Sequence, residues 1–240
     1  YYSDKPPVLS ALSTVPYLVL YNVGLDVQNH PRIMVYSTVA FTMTIPFFLF
    51  FCAIYLFIKK YTKLKKEKRL LLTTSLITGT ALLPFAATFN NHLPAALLVG
   101  ITCLFLFFKQ KHNKNYLFLY GFLLSLATVI EPGAIFISLC FAVLVIWLNK
   151  TQPKLLIYFF SAALLPLTLH IILNWQITGD FLPASMHPEY FNIEGSVFNN
   201  RDELTAGNLA VDSFSYWVHY LGHMTIGTRG FLIHNPLVVI

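Results

Sequence analysis

Charge is the scarcest feature of this 240-residue sequence: Asp, Glu, Lys and Arg make up 11% of it, against roughly 25% in a soluble domain. With apolar residues at 56%, that shortage excludes a surface held in water by its own side chains. Cysteine is nearly missing too. Cys52, Cys103 and Cys140 each sit inside an apolar run, at spacings that fit no metal site. They read as small packing residues, not as a disulfide framework. No glycine-rich phosphate loop of the P-loop or dinucleotide kind occurs. No signal peptide is visible. The chain opens on Tyr1 and stops inside the apolar run Pro236 to Ile240, so it reads as a piece of a longer polypeptide.

What the sequence has instead is long apolar runs, with 22 Phe and 13 Tyr among them. A helix needs about 20 residues to cross the hydrocarbon. Six segments are expected to do so: Ile33–Ile58, Leu70–Phe89, Leu93–Phe108, Tyr116–Ile130, Gly133–Leu148 and Leu155–Trp175. The fold class expected is therefore all-α, a polytopic transmembrane helical bundle with extracytoplasmic loops carrying short surface helices. The fourth and fifth segments are short for full crossings, so they are tilted or form a partly re-entrant pair. Glu131-Pro132 separates them, since proline removes a backbone donor and breaks the helix.

The cations give the orientation. Seven of the sixteen basic residues fall in one stretch, Lys59 to Arg69, directly after an apolar run. Lys109, Lys111 and Lys114 form a second patch, and Lys150 and Lys154 a third. If the first is cytoplasmic, pairs of crossings return the other two to the same side. The breaks at Asn90–His92 and Glu131-Pro132, which lack Lys and Arg, fall on the other. Twelve of the sixteen cations then obey the positive-inside rule. A net charge of +6 distributed in this way points to anionic headgroups and not to nucleic acid.

Four regions follow. Residues 1–32 are an extracytoplasmic loop with a helix lying at the membrane surface, because prolines at 6, 7 and 16 and short length disfavour a crossing. Residues 33–175 are the six-helix membrane region. Residues 176–235 form a large outer loop holding six of the ten acidic residues, expected to fold into short helices that cap a cavity. Residues 236–240 begin a further membrane helix.

Ionisable residues at a membrane boundary are costly to bury, so each one raises the question of a role. Lys5 precedes two prolines, which hold the backbone extended, and a lysine fixed in this way suits a phosphate. The segment Ser3-Asp4-Lys5-Pro6-Pro7-Val8-Leu9 resembles the KPP-plus-apolar motif of GT-C type membrane glycosyltransferases. More narrowly, it is similar to the protein O-mannosyltransferase and aminoarabinose (lipid A) transferase-like group. Arg32 ahead of Ile33, Asn91-His92-Leu93-Pro94, Gly121 to Gly133, Trp175 to Leu182 and Gly227 to Pro236 add to the likeness. The resemblance implies transfer of a sugar from a polyprenyl-phosphate-linked donor to a lipid, glycan or protein acceptor at the outer face of a bacterial inner membrane. It implies that Lys5 meets the donor phosphate, and that a catalytic Asp lies in a loop before Tyr1, acting as general base. Asp4 adjoins Lys5 but does not occupy that position; like His92, it is kept as a candidate contact for acceptor or metal. His92 and Glu131 stand where many relatives have Asp or Lys. The missing phosphate loop counts against a nucleotide-sugar donor.

Other candidates keep two readings. Glu131 meets an acceptor or metal, or caps its turn. His219 and His223, four apart, would share a helix face as two zinc ligands can, or pack at the interface among aromatics; no Glu follows His219 as in zinc hydrolases. Arg229 reaches the donor phosphate or a loop carboxylate. His170, inside a span, is expected to be hydrogen-bonded in the core. Asp180, Glu189, Glu194, Asp202 and Glu203 meet a sugar or cation, or are solvated. A divalent metal ion stays open as a cofactor, and no other is expected. The competing function class is a transporter or flippase of a lipid-linked or small polar substrate, and a third is a non-catalytic scaffold of envelope assembly. Transporters often show internal repeats and midplane polar groups. Here no repeat is evident, and the polar residues gather at the outer boundary.

Overall fold

A computed structural model describes residues 6–80, 82–108 and 113–181, with 218, 219, 222, 223, 225 and 226 from the later part of the chain. Every regular element among these residues is helical. The all-α expectation holds, and the local chemistry of the chain explains most of the boundaries.

Helix α1 (Pro7–Asn22) starts at the second proline of the KPP sequence. Pro6 is extended (φ −55°, ψ 139°) and Pro7 fills the first helical turn, where its missing N–H has no partner to lose. A tight link follows, in which Asp26 accepts from the Asn29 amide and from Asn29 Nδ2, both at 2.7 Å. The next helix runs unbroken from Pro31 to Tyr61 in three parts: α2 (Pro31–Val39), a π-helical turn (Ala40–Thr44) and α3 (Ile45–Tyr61). Pro46 accounts for the wide turn. Its ring would clash with the carbonyl four residues back, and a π-bulge relieves that clash without ending the helix. The widening coincides with a link to a neighbouring segment: Thr44 Oγ1 donates to the Ala86 carbonyl at 2.7 Å.

The second expected span, Leu70–Phe89, is corrected by the structure. Helix α4 (Lys66–Thr78) ends after 13 residues, and only the one-turn α5 (Leu82–Phe85) follows. Gly79 stands just past the last turn of α4, and glycine there favours stopping over continuing. Threonines within α4 also bond back to the preceding turn, as Thr73 does to Arg69 and Thr78 to Thr74, which competes with the regular ladder. Helices α6 (His92–Phe108), α7 (Lys114–Ile130), α8 (Ile135–Leu148) and α9 (Leu156–Thr178) complete the order. Among the described residues, two helices are long and apolar enough to cross a membrane, Pro31–Tyr61 and Pro153–Thr178; His92–Phe107, Lys114–Ile130 and Pro132–Leu148 are apolar but shorter. The first and sixth expected spans thus lie within helices of sufficient length.

Helix α7 is the centre of the bundle. It packs most extensively on α9, then on α6 and α8, and also meets α1. Leu117, Tyr120, Leu124 and Ala127 are buried along it. Its closest approach to α9 is at Gly121, where an added Cβ would lie 2.0 Å from the Phe159 carbonyl oxygen. Only glycine fits a contact that short. Four residues on, Ser125 Oγ donates to the Ala163 carbonyl at 2.6 Å, three residues before Pro166, which interrupts the α9 ladder. Two apolar clusters divide the interior. One joins Val8, Phe47, Ala86, Leu93 and Ile130; the other joins Leu117, Tyr120, Val145 and Phe159 toward the opposite end.

The outer surface inverts the soluble pattern. Phe136 (75%), Leu71 (69%), Val143 (65%) and Ile157 (63%) are among many large apolar side chains left exposed, while Thr102, Asn149 and Asn174 are buried.

Two predictions follow from these contacts. Gly121→Ala should lower the thermal unfolding midpoint in detergent by more than Gly100→Ala does. At Gly100 the added methyl meets only the Phe50 ring, which can turn aside, whereas at Gly121 backbone must move, at about 1–3 kcal/mol or more. Equal midpoints for the two variants would refute the close approach. The second concerns pH. Hydrogen bonds from the Asn29 backbone and side chain hold the Asp26 carboxyl below its usual range. A depressed carboxyl stabilises the fold above that range and stops doing so as pH falls through its lowered value. The protection of the Asn29 amide, its exchange relative to the intrinsic rate at the same pH, should therefore fall in acid, and the same acid step should change that protection little in Asp26→Asn.

Candidate functional site

The polar residues of two turns, distant in sequence, meet at one end of the bundle. Asn90 builds the first turn. Its Nδ2 donates to the carbonyls of Phe85 (2.8 Å) and Thr88 (2.7 Å), while its Oδ1 accepts from the Leu93 amide at 2.9 Å, capping α6. The second turn is set by Pro132. The residue before a proline is pushed out of helical geometry, and Glu131 is extended there (φ −135°, ψ 103°). Its Oε1 accepts from the Gly133 amide at 3.3 Å, so the carboxylate caps the short 3₁₀ turn Pro132–Ala134.

The other carboxylate oxygen joins the two turns. Glu131 Oε2 lies 2.8 Å from His92 Nδ1 and accepts from Asn91 Nδ2 at 2.5 Å. Asn91 also approaches the Ile130 carbonyl at 3.4 Å. Burial falls off outward: Asn91 is 7% exposed, Glu131 22% and His92 57%. The Phe85 ring stands edge-on to the imidazole, with centroids 5.8 Å apart. A histidine whose Nδ1–H is held by a carboxylate presents a lone pair at Nε2, and the His92 side chain is more than half exposed. Such a group can take a proton or orient a hydroxyl.

Of the sequence candidates, His92 and Glu131 are therefore in contact, and the turn-capping reading of Glu131 coexists with its tie to His92. Asp4, Lys5 and Arg229 lie outside the described residues, as do Glu189, Glu194, Asp202 and Glu203. Val8 and Leu9, next along the chain from the KPP sequence, are buried in the same apolar cluster as Leu93 and Ile130. His219 and His223 are helical and exposed. No group of three His, Cys, Asp or Glu able to hold a metal exists among the described residues. His170 Nε2 lies 3.1 Å from Asn174 Nδ2, and its Nδ1 is enclosed without an acceptor. Asp180 Oδ1 accepts from the Phe181 amide.

Sequence reasoning passed over Asn174, although its i+4 spacing from His170 was a usable signal. It also missed the bridging role of Asn91, for which no local signal exists, because the acceptor is forty positions away.

If Glu131 is the anchor, its loss leaves a buried Asn91 donor unmet, at about 1–3 kcal/mol. Loss of His92 breaks only a half-open pair, worth about 0–1 kcal/mol. Glu131→Ala should accordingly depress the unfolding midpoint more than His92→Ala. The reverse order would show that the histidine, not the carboxylate, holds the turns together. No protein-family model, curated protein or solved structure matches the chain.

Proposed function

We propose that the chain is the membrane-embedded part of a multi-pass glycosyltransferase that takes a sugar from a polyprenyl-phosphate donor at the extracytoplasmic face. The observation that carries this reading is the segregation of the bundle's two ends. Lys59 to Arg69, Lys114, Lys150 and Lys154 all fall where α3, α8 and their neighbours meet the basic connections. The turns holding Asn90, Asn91, His92 and Glu131 sit with the start of α1 at the other end. Between the ends the exposed face is apolar, as a bilayer requires. Helices α6 and α7, at 17 residues each, are about 25 Å long, enough to cross with modest local thinning.

A lipid-linked donor keeps its chain in the bilayer and its phosphate at the interface. On this reading Lys5, immediately before the proline-led helix α1, meets that phosphate, and Arg229 assists. The acceptor hydroxyl attacks the anomeric carbon from the opposite side, and the phosphate departs with inversion. Barrier lowering comes from positioning and from cationic charge at the leaving group. The polar end offers a rigid floor for that chemistry, because Glu131 locks α6 to the end of α7.

The test uses the intact protein in nanodiscs with radiolabelled undecaprenyl-phosphate sugars. Transfer should be present in the native protein and fall at least about a hundredfold in Lys5→Ala, with insertion unchanged. Translocation of the donor without transfer would replace this reading with a flippase. Labelling of a cysteine at position 63 from the extracytoplasmic side would overturn the orientation.

A further inference from the structure

The basic end has more order than a solvated charge run needs. The stretch Lys59 to Arg69 carries seven cations against the single acid Glu67, a net +6 equal to the formal net charge of the whole chain. The rest of the molecule is thus neutral overall, and this stretch is the densest of its three basic patches. Part of that stretch is fixed in place. Arg69 Nη1 donates to the Leu64 carbonyl at 2.8 Å, closing the turn into α4. The guanidinium lies over the Tyr55 ring at 5.8 Å, and its enclosed Nε has no acceptor. Aromatic rings mark the same level elsewhere. Lys60 Nζ stands 5.2 Å from the Tyr61 ring, and Lys150 Nζ 5.5 Å from that of Trp147. Tyr61 in turn donates its hydroxyl to the Phe107 carbonyl at 3.0 Å, tying the end of α3 to the end of α6.

What borders the cations identifies the partner. Leu56 (57%), Leu71 (69%) and Ile157 (63%) are exposed within a turn or two of Lys59, Arg69 and Lys154. A ligand seated here meets cations and ring edges on one side and an open aliphatic face on the other. Nucleic acid has no use for the aliphatic face, and an acidic peptide little. A phospholipid matches both, phosphate to the cations and acyl chain to the leucines.

We propose that the turn between α3 and α4, with Arg69 as its fixed element, is a binding site for an anionic phospholipid headgroup. The proposal rests on the membrane-embedded part of the reading above and is independent of sugar transfer. Because the charge is concentrated at one junction, from the last turn of α3 through the connection to the first turn of α4, the bound lipid holds the α3–α4 turn and the adjoining ends of α3 and α6 in register.

Native mass spectrometry of the intact protein in detergent tests it, with phosphatidylglycerol and phosphatidylcholine added at equal concentration. Phosphatidylglycerol should be retained over phosphatidylcholine, with affinity falling as salt rises. The variant K63E/K65E/K66E/K68E should lose at least about tenfold in phosphatidylglycerol affinity, given the contribution of each cation near a headgroup. Arg69→Ala should lose more than Lys63→Ala. If the fourfold reversal fails to fold, the corresponding Lys→Gln set serves, checked by an unchanged unfolding midpoint without lipid. Equal retention of the two lipids, equal retention by native protein and variant, or displacement by millimolar inorganic phosphate would each overturn the site. A protein that transfers sugar yet shows no lipid preference defeats this inference alone; one that retains the lipid but transfers nothing defeats only the enzymatic reading.

Discussion

Backbone carbonyls govern this bundle. In apolar surroundings an unpaired carbonyl costs several kcal/mol, and each helix end or internal proline creates some. Several of the side chains that cross between helices are aimed at such groups. Thr44 reaches Ala86 just past α5, Tyr61 reaches Phe107 at the end of α6 and Asn91 approaches Ile130 at the end of α7, while Ser125 and Ser138 reach carbonyls inside α9 and α7, those of Ala163 and Leu124. Packing of small residues brings the helices close, as Gly121 does against Phe159, and these polar contacts then fix the register. In a bilayer, as the proposed reading has it, apolar packing alone would leave the helices free to slide.

The same economy explains why the polar cluster sits where it does. Pro132 ends α7, the end turns Glu131 outward into extended geometry, and the freed carboxylate collects Asn91 and His92 from the start of α6. A helix end, a proline and a carboxylate thus form one unit. It is a structural anchor first, with an open imidazole nitrogen as its chemical potential. Under the function proposed above, that dual character suits a floor beneath a lipid-linked substrate, because an interfacial site must hold its shape while one side stays open.

Much of the fold was legible in composition and punctuation. The break at Glu131-Pro132, the helix opening at Pro7 and the long apolar helix around Ile33–Ile58 each follow from local rules about proline and apolar length. The segment 70–89 misled because hydropathy averages over the window and ignores propensity. Its Thr-rich course and Gly79 end the helix early although the run is apolar enough. The site was legible only as separate turns. Nothing near Asn91 in sequence tells that its amide faces Glu131, since that pairing is made by α6 and α7 returning to the same end. Asp4, Lys5 and Arg229, on which the resemblance leans most, fall outside the described residues.

Length sorts the helices into two kinds, and the difference bears on how the two ends are related. The helix Pro31–Tyr61 has 31 residues, about 46 Å at the usual rise, well beyond a hydrocarbon core of about 30 Å. Helices α6 and α7 are about 25 Å long. A bundle mixing both in one bilayer must tilt the long helix or let it project. The π-turn at Ala40–Thr44 lies in the first half of that helix, at the level where Thr44 meets Ala86 and Met43 and Phe47 enter the cluster with Val8 and Ile130. The irregular part of the long helix therefore lies next to the polar turns, while the far end at Tyr61 is tied to Phe107. The helix is tied at its cationic end and irregular near the polar end, so under the proposed function any change of shape on binding a substrate belongs to the side that carries His92 and Glu131.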